Sequence, residues 1–189
     1  MQMMRITKEP EVRRQEILDA ALQIFGEKGY EKTSIADIAK AIGVAQGLCY
    51  RYFPSKEALF DSVIEQYASL LAEPFAQYEK ETDKPLRQII EEMPATIEDR
   101  DSRYYALFHG AENAKFHVLL SLKLCEKLVP LAERILQRAR DRGEVSFDDP
   151  HTAAVFCVYG QLGALQDDGL TREEKLEKIR AFLAFALHL

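Results

Sequence analysis

The first apolar pattern along the chain is helical. In residues 11–28, EVRRQEILDAALQIFGEK, charged residues separate apolar positions that recur at intervals of three and four: Ile17, Leu18, Ala21, Leu22 and Phe25. That spacing puts the apolar side chains on one face of an α-helix. Gly29 follows, and glycine readily ends a helix in a left-handed conformation. The pattern therefore predicts an amphipathic helix over 11–28, capped by Gly29.

A much shorter helical pattern follows in residues 33–43, TSIADIAKAIG. Ser34 and Asp37 have the spacing of a capping box at a helix start. The apolar positions behind them fall at i, i+3, i+4 and i+7: Ile35, Ile38, Ala39 and Ile42. Gly43 closes the segment. A helix of about two turns is unstable alone, so this one is expected to pack on its neighbours.

Two further helices are predicted on either side of Pro54. The first spans about 45–53 and ends there, because a residue before proline avoids the helical conformation. Ser55 then caps a longer helix that continues to about residue 80. Two short helices joined by a tight turn at Gly43, with a supporting helix on each side, are typical of a helix-turn-helix.

The rest of the chain is also predicted to be helical. The segments are 84–97, a weaker 102–110, about 113–142 with an interruption or kink at Pro130, 149–166 and 171–189. Thr171 and Glu174 again have capping-box spacing. We find no alternating pattern that indicates a strand. We therefore expect an all-α fold, with a helix-turn-helix DNA-binding domain at 1–56 and a helical effector-binding and dimerisation domain at 57–189.

Charge refines this division. The chain is 47% hydrophobic, enough for a substantial core, and its net charge of −6 argues against a general coat for nucleic acid. Residues 1–56 carry nine Lys/Arg against seven Asp/Glu, a net +2, while residues 57–189 carry sixteen against twenty-four, a net −8. A slightly basic head on an acidic body fits a locally bound anionic partner.

Cysteine usage and hydropathy indicate the compartment. Cys49, Cys125 and Cys157 are odd in number, far apart and form no CxxC pair. No apolar stretch approaches the roughly 20 residues that span a bilayer. The first fifteen residues lack the apolar core of a signal peptide. These features predict a reduced, cytoplasmic protein with no membrane partner.

The segment GVAQGLCYRYFPSKEALF, residues 43–60, carries the most specific chemistry. On a helical wheel, one side holds the residues that can pack inward: Ala45, Cys49, Tyr52 and Phe53. The other side holds Gly47, Leu48 and Arg51, with Tyr50 on its flank and Gln46 in the first turn. An outward glycine beside an arginine and a tyrosine favours close approach to a bulky partner. Gln46 and Arg51 are suited to base edges, and Tyr50 to a phosphate.

Three flanking residues complete the predicted DNA contacts. Thr33 and Ser34 lie at the start of the preceding helix, where backbone N–H groups favour a phosphate. Lys56 lies beyond the recognition helix and can hold the next phosphate. The full set of DNA-contact candidates is Thr33, Ser34, Ala45, Gln46, Gly47, Leu48, Tyr50, Arg51 and Lys56.

Residues 13–60 resemble the DNA-binding head of the tetracycline-repressor (TetR) family of bacterial transcriptional regulators. The similarity includes the F-x-x-x-G-Y step, the T-S-I-A-D-I-A helix, G-V-A-x-G, the Y-x-Y-F close and the P-S-K-E-x-L turn. The resemblance implies an all-helical homodimer whose operator DNA is released by an effector. It also implies DNA contacts at Thr33, Gln46, Gly47, Leu48, Tyr50 and Lys56. Gln46 and Leu48 depart from the Lys and Thr common in the family, and Leu48 instead suits a thymine methyl.

The body offers candidates for an effector pocket and a dimer interface. Pockets are apolar with a few polar groups, so the aromatic-rich segments supply the pocket candidates, although ordinary core is equally open: Tyr104, Tyr105, Phe108, Phe116, His117, Phe156 and Tyr159. The last two helices carry small, aromatic and apolar stripes that predict a two-fold interface, with intrachain core as the alternative. Its candidates are Phe156, Gly160, Gly163, Ala164, Leu176, Ile179, Phe182, Leu183 and Ala186.

The predicted function is a ligand-responsive transcriptional regulator, a repressor rather than an enzyme. It would bind a palindromic operator in double-stranded DNA as a homodimer and be released by an unknown small apolar or amphipathic effector. The alternatives are a helical-bundle enzyme and a protein-binding module without operator binding. The chain has no nucleophile elbow or phosphate-cradling glycine loop. His109, Glu112 and His117 do not share one helix face, so neither a metal nor a cofactor is expected.

Overall fold

The computed structural model describes residues 9–93, 114–165 and 169–189, which form helices and no strand. The helices are α1 (Pro10–Lys28), α2 (Ile35–Ala41), α3 (Gln46–Tyr52), α4 (Lys56–Lys80), α5 (Leu86–Glu92), α6 (Ala114–Asp141), α7 (Pro150–Tyr159), α8 (Gln161–Leu165) and α9 (Arg172–Ala186). The all-α expectation is confirmed.

The described residues divide into two compact units. The head unit comprises residues 9–66 and 114–118. The body unit comprises residues 67–93, 119–165 and 169–189. Both α4 and α6 contribute residues to each unit. The boundary after residue 56 remains a prediction.

The head unit is built as its apolar pattern predicts. Ile17, Phe25 and Ile38 are almost completely buried, and α2 packs against both α1 and α3. Phe25 and Phe60 meet edge to face with ring centres 5.3 Å apart, so the first turns of α4 close the same core. This core fixes the positions of the two short helices, which lack the length to be stable alone.

Local signals in the sequence set several helix ends. The Ser34 and Thr171 side chains each accept a hydrogen bond from the backbone N–H three residues on, and both predicted capping boxes are present. Ser55 Oγ accepts the N–H of Ala58 at 3.0 Å, as its predicted cap role requires. Gly43 has φ +68°, a conformation that favours glycine in the turn between α2 and α3.

Some helix ends differ from the sequence pattern. Gly29 ends α1 with φ 79° and ψ 157°. This combination is adopted almost only by glycine and differs from the predicted left-handed helical cap. Helix α5 ends at Glu92 because Met93 precedes a proline. The predicted helix over 149–166 is divided at Gly160, where a Cβ would lie 2.6 Å from the Phe156 carbonyl oxygen. Helix α6 runs through Pro130 without a break.

The body unit has a core of its own. Val129, Leu136 and Ala139 of α6 meet Ala154 of α7 and Leu183 of α9. Glu144 accepts the N–H of Leu86 at 2.7 Å, which fixes the start of α5 to the turn after α6. No described helix is long and apolar enough to cross a membrane.

Candidate DNA-binding surface and effector cavity

The third helix has one buried side and one exposed side. Cys49 is completely buried and Phe53 is 2% exposed, whereas Tyr50 is 46% exposed. Gln46 and Arg51 are also exposed. The core therefore holds α3 by its Cys49 side, and the side chains suited to bases and phosphates face away from it.

Three wheel positions in and beside α3 differ from expectation. Ala45 is exposed, not packed, because it precedes the first helical residue and has an extended backbone with ψ 140°. Tyr52, predicted inward, is half-buried, and so is Leu48, predicted outward. A helix of seven residues has few turns, so its ends depart most from an ideal wheel.

Gly47 leaves open space on this surface. A Cβ built on Gly47 meets no heavy atom within 4 Å. The protein itself therefore does not require glycine here. A requirement for close approach by a partner would explain the residue.

Thr33 is a buried support and not an exposed contact. It is 3% exposed, and its Oγ1 donates to the Gly29 carbonyl at 2.8 Å. Its side chain therefore links α2 to the end of α1 and is not available to a phosphate. Ser34 is exposed, but its hydroxyl donates to Asp37 Oδ2 at 2.6 Å and accepts the Asp37 N–H. The Ser34 hydroxyl and the Ser34 backbone N–H, which donates to Asp37 Oδ2 at 2.9 Å, hold the pKa of the Asp37 carboxyl below its usual value.

The side chain of Lys56 is held against the ring of Tyr30. Its Nζ lies 4.1 Å from the ring centre of Tyr30 and donates to the Glu31 carbonyl at 3.4 Å. Lys115 Nζ lies 4.8 Å from the same ring. Cation–π contacts of this kind are worth about 0.5–1 kcal/mol at exposed sites. The head unit thus fixes the ammonium of Lys56 four residues beyond the end of α3.

The predicted effector residues are dispersed. Phe116 is 5% exposed and packs on Phe60 in the core of the head unit, with ring centres 5.8 Å apart. His117 is half-buried and belongs to the same unit. Phe156 is 75% exposed. Three candidates lie outside the described residues: Tyr104, Tyr105 and Phe108.

A cavity of about 150 Å³ lies instead within the body unit. Most of its lining is aliphatic and comes from α4, α5, α6, α7, α8 and α9. Phe75 and Tyr78 of α4 line it, as do Cys157 and Val158. Phe156 and Tyr159 are not among its lining residues. From the segment 149–166 the lining residues are instead Cys157, Val158, Gln161, Leu162 and Leu165.

Two cysteines, Cys125 and Cys157, line this cavity. Burial raises the pKa of the Cys125 thiol to about 11 and also raises that of Cys157. Cys49, in the head core, has its pKa raised by burial too. All three thiols therefore stay protonated at neutral pH, and a protonated thiol is a poor nucleophile.

The predicted dimer residues separate into two groups. Phe156 and Phe182 are 75% and 65% exposed, and Phe185, which sequence analysis missed, is 76% exposed. Gly160, Gly163 and Ala186 are also exposed. Ile179 and Leu183, however, belong to the body core. Leu176 lines the cavity, and Ala164 packs against the core.

Similarity to known proteins agrees with this geometry. The tetR family of bacterial regulatory proteins matches residues 17–63. The HTH-type transcriptional regulator YuxN of Bacillus subtilis is 30% identical over 146 residues, which is 77% of this chain and 45% of YuxN. The HTH-type transcriptional repressor KstR2 of Mycolicibacterium smegmatis is 27% identical over 125 residues, 66% of this chain and 56% of KstR2.

The similarity extends to the fold of the whole chain. A solved structure of RolR in complex with resorcinol has a TM-score of 0.62 at 22% identity and covers 95% of this chain and 89% of RolR. The chain spans about half the length of the curated relatives it matches. With its exposed recognition helix, the chain carries at residues 17–63 the DNA-binding domain of the tetR family of bacterial regulatory proteins.

Proposed function

We propose that this protein is a ligand-responsive transcriptional repressor that binds a palindromic operator as a homodimer in the cytoplasm. The proposal rests on α3, which has one side buried in the core and one side exposed. Cys49 and Phe53 anchor the helix, while Gln46, Tyr50 and Arg51 are exposed around an open glycine. The family match and the repressor KstR2 support the same conclusion.

The exposed side chains divide by the DNA groups they suit. Gln46 and Arg51 have the donors that hydrogen-bond base edges in the major groove, so they supply sequence preference. Tyr50 and Lys56 suit phosphates and set the position of the head on the duplex. Leu48, half-buried beside them, supplies an apolar contact for a thymine methyl.

Dimerisation uses the exposed phenylalanines of α7 and α9. Three large aromatic side chains that are 65–76% exposed are unusual on a monomer surface. A two-fold interface formed by the same helices of two copies would remove them from water. Two heads can then contact successive major grooves, whose centres lie about 34–36 Å apart.

The effector binds the cavity of the body unit. Its lining is apolar with a few polar groups, as is usual for small-molecule sites. RolR, which has the same fold, binds resorcinol. Because α4 lines the cavity with Phe75 and Tyr78 and also supplies residues 56–66 to the head unit, a bound ligand that displaces α4 changes the spacing of the heads.

A salt-dependent binding measurement tests the operator function. Fluorescence anisotropy with duplexes from the DNA upstream of the protein's own coding region should show sequence-specific, salt-sensitive binding. Arg51→Ala should lose discrimination worth about 1–3 kcal/mol at particular base pairs. Lys56→Ala should weaken binding to all sequences and reduce the salt slope by about one per head.

The matched control is Lys80→Ala, which removes an exposed cation from the body end of α4. It should leave the affinity and the salt slope unchanged. If Arg51→Ala discriminates between base pairs as the parent protein does, Arg51 does not contact the bases. No salt-dependent DNA binding by the folded protein would instead favour an enzyme or a protein-binding module.

A further inference from the structure

We infer that the effector is an uncharged hydroxyl compound whose apolar body is one ring or a short chain. The inference rests on the proposed effector cavity and names the chemistry of its ligand. Two uncharged polar side chains that line the cavity, Ser121 of α6 and Gln161 of α8, present hydrogen-bonding groups that suit a ligand hydroxyl.

The apolar part of the ligand follows from the size and lining of the cavity. A volume of about 150 Å³ is comparable to an engineered apolar cavity of another protein that binds benzene. More than half of the lining residues are leucine or isoleucine. A single ring or a short alkyl chain fits this space, and a larger ligand requires the cavity to open.

Ser121 supplies a buried hydroxyl on the cavity wall. The residue is only 6% exposed, and its Oγ forms no hydrogen bond with any residue of the described ranges. A serine in a helix can donate to the carbonyl four residues earlier, as Ser62 does to Ala58 at 2.8 Å, but Ser121 does not. A buried hydroxyl without a hydrogen bond costs free energy. A ligand oxygen that accepts from Ser121 removes this cost.

Gln161 supplies an acceptor for the same ligand group. Its Nε2 donates to the Cys157 carbonyl at 2.6 Å, which fixes the orientation of the side-chain amide. The amide oxygen, Oε1, receives no hydrogen bond from the described part of the chain and can only accept. A hydroxyl can donate to Gln161 and accept from Ser121 through one oxygen atom, whereas an ether or a ketone can only accept.

The charged residues of the lining do not require a charged ligand. Lys175 Nζ donates to the Leu165 carbonyl at 2.8 Å. Arg180 donates to the Met93 carbonyl at 2.9 Å and also borders a surface groove that holds three glutamates. The described lining includes no aspartate or glutamate, so a ligand cation would find no carboxylate there. A carboxylate ligand would lose its hydration among aliphatic side chains. The ligand is therefore neutral.

The test compares hydroxyl compounds with their methyl isosteres on the full-length protein. Phenol, 4-methylphenol, benzyl alcohol and 1-butanol are titrated by calorimetry at neutral pH, beside toluene, p-xylene, ethylbenzene and pentane respectively. We expect at least one hydroxyl compound to bind about fivefold or more tightly than its isostere, because the isostere leaves the Ser121 hydroxyl unpaired. Benzoate should bind at least about tenfold more weakly than benzyl alcohol. The preferred hydroxyl compound should also weaken operator binding.

Three variants assign the preference. Ser121→Ala and Gln161→Met should each weaken the hydroxyl compound about fivefold or more and leave its isostere within about threefold. Ser62→Ala removes a serine hydroxyl from α4 in the head unit and should change the affinity of neither ligand. Circular dichroism melts confirm that each variant is folded.

The outcomes separate this inference from the proposed function. Equal binding of each hydroxyl compound and its isostere, or an unchanged preference in both cavity variants, overturns the hydroxyl assignment. So does tighter binding of benzoate than of benzyl alcohol, or the failure of every hydroxyl compound to bind the folded protein. In those cases operator binding, measured separately, can still stand. If a hydroxyl compound binds with the expected preference but the protein never binds DNA, the regulator proposal fails and the ligand site remains.

Discussion

At the scale of single residues, a substitution at Gly47 should affect protein stability and DNA affinity in opposite directions. Because a Cβ at Gly47 meets nothing within 4 Å, Gly47→Ala should raise helix stability by up to about 1 kcal/mol. In the complex, the same methyl group occupies the space that DNA needs. We expect operator affinity to fall at least tenfold while the melting temperature stays equal or rises.

Gly163 supplies the matched control. It is exposed and a Cβ there also meets nothing within 4 Å, but it lies in α8 of the body unit. Because Gly163 is also an interface candidate, sedimentation velocity first establishes that Gly163→Ala remains a dimer, and its operator affinity should then be unchanged. Thermal melts and anisotropy on both variants check the pair. If Gly47→Ala binds operator like the parent protein, α3 does not approach DNA at this glycine.

The hydrogen bond of Thr33 in the folded protein predicts a structural role for this residue. Thr33→Val removes the hydroxyl that donates to Gly29 and should cost about 1–3 kcal/mol of unfolding free energy, since the carbonyl stays buried. Thr33→Ser keeps the donor and should cost less. Denaturant unfolding measures both. Operator affinity of the folded fraction should stay unchanged. A stable Thr33→Val protein with weak DNA binding would instead indicate a direct contact.

The exposed surface of α3 could be predicted from the sequence, whereas the burial of Thr33 could not. Tyr50, Arg51 and Cys49 were placed correctly because a wheel needs only their spacing within one helix. Thr33 was assigned to DNA because it begins a helix. Its hydroxyl partner, Gly29, belongs to a turn whose ψ of 157° nothing in the sequence specified.

At the scale of elements, α9 shows that the apolar pattern of a helix does not identify which of its sides is buried in the core. Its sequence is apolar around much of its circumference, so the pattern predicted one broad interface stripe. Tertiary packing divides that stripe: Leu183 is 5% exposed in the core, whereas Phe182 and Phe185 are 65% and 76% exposed. Which side the core covers depends on α5, α6 and α7, and no local pattern encodes that choice.

The proposed dimer can be tested by replacing the exposed phenylalanines of α9. Phe182→Glu with Phe185→Glu places two charges on the exposed surface, so it should leave the monomer folded and abolish dimerisation. Sedimentation velocity over a range of concentrations should show a monomer where the parent protein is a dimer. DNA binding should weaken because two linked heads bind more tightly than one.

Leu183→Glu is the contrasting variant, because it buries a charge in the body core and should unfold the protein. Its far-ultraviolet circular dichroism separates loss of fold from loss of association. A dimer that persists in the double phenylalanine variant would place the interface elsewhere on the molecule.

At the scale of the whole molecule, the cavity was beyond sequence analysis for a physical reason. It is lined by residues of α4, α5, α6, α7, α8 and α9, which are separated by up to about a hundred positions. Its volume is what remains after those helices pack. The sequence predicted an effector site in the body, with five candidates at 104–117 and two, Phe156 and Tyr159, in the 149–166 segment. The lining residues Cys157 and Val158, rather than the aromatic Phe156 and Tyr159, follow only from the packed structure.

We expect ligand binding and DNA binding to be coupled through α4. If a cavity ligand changes the spacing of two heads, it binds one arrangement of the dimer more tightly than the other. Operator DNA must then weaken ligand binding by the same factor by which ligand weakens DNA binding, typically 5–150-fold. Calorimetry of a ligand that binds the cavity, with and without saturating operator, and anisotropy with and without that ligand measure the two factors independently.

A cavity-filling variant isolates the ligand's part in this coupling. Leu128→Phe adds bulk to a half-buried lining residue of α6 and should abolish ligand binding while it preserves the DNA affinity of the unliganded protein. Its DNA affinity should therefore not respond to the ligand. Equal ligand affinity in the presence and absence of operator would exclude the switch. A DNA response that persists in Leu128→Phe would mean that the ligand acts from a site other than this cavity.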